Sequence, residues 1–161
     1  MRFRDKILGP NTLKNWCDEF RRSGKKLVVT NGCFDLLHLG HVTYLEAARN
    51  LGDALLVGVN GDGAVRELKG EGRPINSEED RAAVLSALQM VSAVCIFPEK
   101  TASRFLAEVT PDIYVKGGDY TLETINQEER RIVENAGGKI IILPIVPGKS
   151  TTSLVAKISR L

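Results

Sequence analysis

Residues 28–48, VVTNGCFDLLHLGHVTYLEAA, constrain the fold most tightly. An apolar run of strand length breaks at Asn31-Gly32, and apolar residues at helical spacing resume after Gly40. A strand that hands over to a helix in this way is the first half of a parallel crossover unit, since such strands need helices over both faces. The pattern recurs along the chain. After the strand at 26–30, residues 54–59, 93–97, 112–116 and 139–143 read as four further buried strands. Between them lie a helix with Val42, Leu45, Ala48 and Leu51 inward, a second behind the capping sequence Ser77-Glu78-Glu79-Asp80, a short one at 101–109 and a charged one at 124–135. Ser150-Thr151-Thr152 opens the last helix. Residues 1–25 read as an N-terminal packing helix, started by Asn11-Thr12 and carrying Leu13, Trp16, Cys17 and Phe20 on one stripe. The alternation predicts an α/β doubly wound, Rossmann-like domain: a five-stranded parallel sheet with helices on both faces. A length of 161 residues suits a single domain over 1–161.

Several function classes are disfavoured at once. With 22 basic and 20 acidic side chains the net charge is only +2, without the basic stripe of a nucleic-acid binder. Cys17, Cys33 and Cys95 are odd in number and scattered, which fits a reducing compartment and small buried side chains. The N-terminus lacks the apolar core of a signal peptide and no stretch is long and apolar enough to span a membrane. The expectation is a cytoplasmic protein with no membrane or nucleic-acid partner. Gly61-Asp62-Gly63 lacks the third glycine of a dinucleotide fingerprint. Gly148-Lys149-Ser150-Thr151 imitates the end of a P-loop, but the leading glycine would have to stand where Leu143 does.

Ligands of doubly wound sheets bind beyond the carboxyl ends of the strands, at the switch in strand order. Four loops should meet there: 31–41, 60–73, 116–120 and 147–152. The first holds both histidines of the chain, His38 and His41. A helix N-terminus presents unpaired N–H groups and partial positive charge, and imidazoles three residues apart on its first turn can both donate to phosphate oxygens. Gly40 lets a bulky anion approach, and Gly32 lets the chain turn off the strand. Exposed histidines without a role are the plainer alternative, weakened by the confinement of both to one tetrapeptide. In the third loop, Gly117 and Gly118 between Lys116 and Asp119 would let a planar base lie against the backbone, although glycine pairs are also ordinary turn punctuation. Ser150, Thr151 and Thr152 exceed what capping alone requires. No set of residues has metal-ligand spacing, so no protein-held metal is expected.

The string GCFDLLHLGH resembles the signature of the HxGH nucleotidyltransferases, in their cytidylyltransferase-like group. VGVNGDGAVRELKGEGRPIN, EEDRAAVLSAL, VKGGDY and PGKSTTS resemble the later motifs of that group in the same order, so the likeness covers nearly the whole chain. Within the group it is nearest to adenylyltransferases that join AMP to D-glycero-β-D-manno-heptose 1-phosphate and release pyrophosphate. Those domains are often fused to a sugar kinase, and this chain resembles the stand-alone form, with a separate kinase acting upstream. The resemblance implies a homodimer, ATP with Mg²⁺ riding on its triphosphate, and His38 and His41 as the catalytic pair.

It also implies phosphate-binding roles for Lys69 and Arg73, where a solvated charged loop is the alternative for Lys69. Arg81 matches a family arginine, with a surface ion pair as the competing reading; its charge opposes the helix dipole at that position. Nucleotide contacts are expected from Asn31, Gly32, Cys33, Phe34, Gly40, Asn60, Asp62, Arg81, Lys116, Gly117, Gly118, Asp119, Ser150, Thr151 and Thr152. Related CTP enzymes carry an arginine where Ile145 stands and an acid in place of Gly118, and both departures argue against CTP. Gly61 stands where serine is more usual. Other readings are an adenylyl- or cytidylyltransferase for glycerol 3-phosphate, phosphoethanolamine or FMN, a non-catalytic nucleotide-binding module, and a flavodoxin-like electron carrier.

Overall fold

The run ALLVGVN forms a strand (β3, Ala54–Asn60) in which every residue is buried, as expected when a strand has neighbours on both sides and helices above and below. Five others accompany it: β1 (Ile7–Leu8), β2 (Leu27–Gly32), β4 (Ala93–Phe97), β5 (Ile113–Gly117) and β6 (Lys139–Leu143). In the computed structural model, which describes residues 1–161, they form one fully parallel sheet in the order β1-β4-β3-β2-β5-β6. The helices are α1 (Pro10–Arg22), α2 (Leu39–Arg49), α3 (Asp62–Lys69), α4 (Glu78–Ser86), α5 (Ser103–Val109), α6 (Gln127–Asn135) and α7 (Thr151–Ile158). No helix is long and apolar enough to cross a membrane.

Alternation along the strands divides the core in two. On one face Val29, Leu56, Cys95 and Tyr114 pack with Leu13 and Cys17 of α1, Phe105 and Leu106 of α5 and Val133 of α6. On the other, Val28, Leu55, Val57, Val94 and Val115 pack with Leu45 and Ala48 of α2 and Ala82 and Leu85 of α4. The fold is the expected α/β doubly wound one, with three corrections. The sheet has six strands, because Ile7 and Leu8 pair with Val94 and Cys95 at its edge. Two residues carry no periodicity, so only the partner defines that strand. Residues 62–69, expected as loop, form α3, whose Ala64 and Val65 are buried; Gly63 breaks the helical pattern without breaking the helix, which ends at Gly70 with φ 96°. The first helix is also opened by Gly9 and Pro10 rather than by Asn11-Thr12.

The chain moves from β2 to β3 and β4 toward one edge, then crosses back to β5 and β6 on the other side of β2. The connections leaving β2 and β5 therefore diverge, and a crevice opens between them at the carboxyl ends.

Candidate active site

The crevice is a cavity of about 630 Å³, and its floor is the β2–α2 junction. Close packing dictates the glycines there. A Cβ on Gly32 would lie 2.9 Å from the ring of Phe34, which itself turns the chain with φ 46°. A Cβ on Gly40 would lie 2.9 Å from the ring of His38 and 3.2 Å from Cβ of Lys149. Gly40 thus makes room for a histidine and a lysine as well as for a ligand.

His38 is the N-cap of α2 and makes no side-chain cap, so the first N–H groups of the helix lack a side-chain partner. The His38 and His41 rings stack with centroids 3.9 Å apart and 24° between planes, and Phe34 meets His41 edge-on at 5.3 Å. Nδ1 of both histidines is buried with no hydrogen-bond partner. Burial, followed by the neighbouring His38, pushes His41 down to about 4 from 6.5. Burial, followed by the Lys149 ammonium, also lowers His38. In the free protein the pair is therefore neutral at pH 7, a stacked pair of imidazoles with unmet hydrogen-bonding capacity.

A second helix start faces the first. Ser150 caps α7 by accepting the Ser153 N–H at 3.0 Å, and Thr151 donates to the Leu36 carbonyl at 3.1 Å, tying the two loops together. The Thr152 hydroxyl makes no hydrogen bond within the protein and lines the cavity, as does Lys149, which has no acidic partner. Arg73 completes this wall: its Nε donates to Asp35 at 2.7 Å, leaving its two terminal nitrogens without protein partners. Asp35 is buried, which disfavours its charge, but the N–H groups of Asn76 and Ile75 and the Arg73 guanidinium outweigh burial and hold its carboxyl below the usual range.

Most sequence-predicted site residues line this one cavity: Asn31, Gly32, Cys33, Phe34, His38, Gly40, His41, Asn60, Lys69, Arg73, Lys116, Gly117, Ser150, Thr151 and Thr152. Four do not. Arg81 is fully buried behind the wall, donating from Nη1 to the Cys33 carbonyl (2.6 Å), from Nη2 to Asp62 (2.8 Å) and from Nε to the Asn76 carbonyl (3.1 Å). Its ion pair with Asp62 is buried on the guanidinium side rather than lying at the surface, and each of its three guanidinium nitrogens donates to the loops it joins. Gly118 and Asp119 stand beyond the wall, where Gly118 (φ 111°) turns the chain outward and Tyr120 takes the place beside Lys116. Lys69 ends α3 rather than lying in a loop, and remains exposed at the rim.

Asp35, Lys100, Thr101, Tyr120, Asn126, Glu129 and Lys149 also line the cavity and were not anticipated. Lys100 and Thr101 follow β4; applying the carboxyl-end rule to that strand as well would have found them. Lys149 was visible in GKST but set aside with the P-loop. No group of three or more His, Cys, Asp or Glu side chains is arranged to hold a metal ion.

Comparison with known proteins places these features among relatives. Residues 29–156 match the family described as cytidylyltransferase-like. The bifunctional protein HldE of Syntrophotalea carbinolica is 44% identical over 158 residues, which cover 98% of this chain and 32% of that protein. HldE of Pseudomonas paraeruginosa is 50% identical over 154 residues, covering 96% of this chain and 32% of the relative. The chain thus spans about a third of the length of these curated relatives. Among solved structures, the lipopolysaccharide core biosynthesis protein of Thermoplasma volcanium superposes with a TM-score of 0.63 at 32% identity, over 76% of this chain and 98% of that one.

Proposed function

The chain belongs to the cytidylyltransferase-like family, and on that premise we propose that it transfers AMP from ATP to a sugar 1-phosphate, giving a nucleotide sugar and pyrophosphate. The acceptor we assign is D-glycero-β-D-manno-heptose 1-phosphate and the product ADP-heptose. The observation that carries this reading is the stacked histidine pair with unpartnered Nδ1 atoms at the start of α2.

A sugar 1-phosphate has its second pKa near about 6, so at neutral pH it is already an oxyanion and attacks the α-phosphorus without a general base. The oxygen bridging the α- and β-phosphorus atoms leaves with the electron pair, as pyrophosphate. What the protein must supply is alignment and relief of negative charge. The paired helix starts of α2 and α7 offer N–H donors, Lys149, Lys69 and Arg73 offer cations, and Thr152 a hydroxyl. Phosphate oxygens meeting the neutral histidines favour their protonated, doubly donating form, so the two rings gain charge as the transition state gains it.

A divalent cation would enter with the nucleotide and relieve charge on its phosphates; Asp35, engaged by Arg73, Ile75 and Asn76, would not be drawn to it. Ile145 on the cavity wall supports ATP over CTP, since it offers no donor to the cytosine carbonyl, an atom adenine lacks. We further infer a cytoplasmic homodimer that receives its acceptor from a sugar kinase activity. The test is pyrophosphate release from ATP and CTP with sugar 1-phosphates, glycerol 3-phosphate, phosphoethanolamine and FMN. Release with ATP and the heptose phosphate is expected; preference for CTP or for a non-sugar acceptor overturns the assignment. Tight ATP binding with no release for any acceptor makes the chain a nucleotide-binding module.

A further inference from the structure

Part of the cavity wall is built for something other than phosphate. It comes from the ends of β2 and β3, the β4–α5 loop and the start of α6. Asn60, buried at the end of β3, spends its amide nitrogen on the Glu99 and Lys100 carbonyls (3.1 and 3.4 Å), leaving its oxygen free. Asn126 caps α6 through its oxygen, accepting the Glu128 and Glu129 N–H groups at 3.0 and 3.1 Å, leaving its amide nitrogen free. The Thr101 hydroxyl makes no hydrogen bond within the protein. Glu129, a buried carboxylate, accepts the Ala102 N–H at 2.7 Å and lies 2.9 Å from the Tyr114 hydroxyl.

Asn31 completes the wall. The Tyr114 hydroxyl lies between Asn31 Oδ1 at 2.6 Å and the Glu129 carboxylate, and its one proton serves the nearer acceptor, Asn31. The Asn31 amide nitrogen then has no protein partner and turns to the cavity. The wall presents the oxygens of Asn60 and Glu129, a hydroxyl from Thr101 and amide N–H donors from Asn31 and Asn126. A surface that mixes acceptors and donors pairs with hydroxyl groups, which both donate and accept. Lys100, paired with Glu67 at 2.6 Å, and Lys116, whose charge burial disfavours, line the same cavity and add little net charge to this wall.

We infer that Asn31, Asn60, Thr101, Asn126 and Glu129 form the subsite for the hydroxyl groups of the acceptor sugar, an inference that rests on the sugar 1-phosphate reading above. Two variants test it with little risk to folding. Thr101→Val removes a hydroxyl that has no protein partner, and Asn126→Asp keeps the capping oxygen while replacing the free donor by an acceptor. Binding of D-glycero-β-D-manno-heptose 1-phosphate is measured by calorimetry in the presence of a non-cleavable ATP analogue, and KM is measured for each substrate. Each variant should weaken acceptor binding and raise acceptor KM by about tenfold, with KM for ATP unchanged. The inference is overturned by unchanged acceptor affinity in both variants, by a rise in KM for ATP instead, or by phosphoethanolamine binding the unaltered protein more tightly than the sugar phosphate. Should the sugar phosphate bind, and both variants weaken it, without any pyrophosphate release, the subsite stands and the proposed reaction falls. Should the unaltered protein bind no sugar 1-phosphate, both fall.

Discussion

Two sets of polar side chains stand back to back across the loop that joins β2 to α2. Behind it, Arg81 is buried and paired at all three guanidinium nitrogens, with Asp62 and the Cys33 and Asn76 carbonyls as partners. In front, the histidines keep buried Nδ1 atoms without partners, and Lys149 and Thr152 have none either. Both sets are polar and partly charged, but the bookkeeping of donors and acceptors differs. A satisfied buried charge holds loops in register, whereas an unsatisfied group at a cavity is a cost that a ligand relieves. Asp35 and Arg73 link the two sets: the carboxylate is saturated from the back, while the guanidinium it holds keeps two nitrogens for the front.

Substitutions on each side should separate stability from turnover. The largest effect belongs to His41→Ala, expected to lower kcat by roughly a thousandfold while the thermal midpoint moves little. Pyrophosphate release and thermal unfolding of the same preparation check it, and unaltered turnover would place the chemistry elsewhere. Arg81→Leu should do the reverse, costing roughly 3 kcal/mol in denaturant unfolding because it strands Asp62 and two carbonyls. A variant of unchanged stability that had lost only ATP affinity would move Arg81 to the ligand side. Lys149→Met should raise KM for ATP about tenfold with no change in midpoint, since Lys149 has no acidic partner in the fold. If the midpoint fell, Lys149 would belong to the scaffold.

A further effect is in acid. His41 titrates at about 4 when folded against 6.5 when unfolded, so the unfolded chain binds more protons between those values and stability falls as pH is lowered through that window. Asp35, held below its usual 3.8, adds stability above that value that is lost at still lower pH. Midpoints measured from pH 7 to 3 should therefore show two separable losses, the first flattened in His41→Asn and the second in Asp35→Asn.

Legibility tracked how local each feature is. Five of the six strands and the β2–α2 junction were readable because apolar runs and helical spacing are written within a few residues. β1 was invisible, since Ile7 and Leu8 become a strand only by lying beside Val94 and Cys95. Gly63 disguised α3, whose anchoring residues are Ala64 and Val65. At the site, the histidines stood out by their confinement to one turn. Asn126 and Glu129 gave no signal, because their place on the wall depends on β5 and α6 folding back beside β2.

The amino-acid sequence by itself determined the alternating α/β order, the parallel sheet that follows from it and the helix start at which two histidines sit, because each is encoded in spacing along the chain. The tertiary structure alone decided which charges face a ligand. Arg73 stands in a glycine-rich loop and Arg81 at a helix start, and neither setting tells which guanidinium keeps free donors. The partners that do, Asp35 for one and Asp62 with the Cys33 carbonyl for the other, come from distant segments. Burial and donor count are sums over neighbours in space, and neighbours in space are what folding supplies.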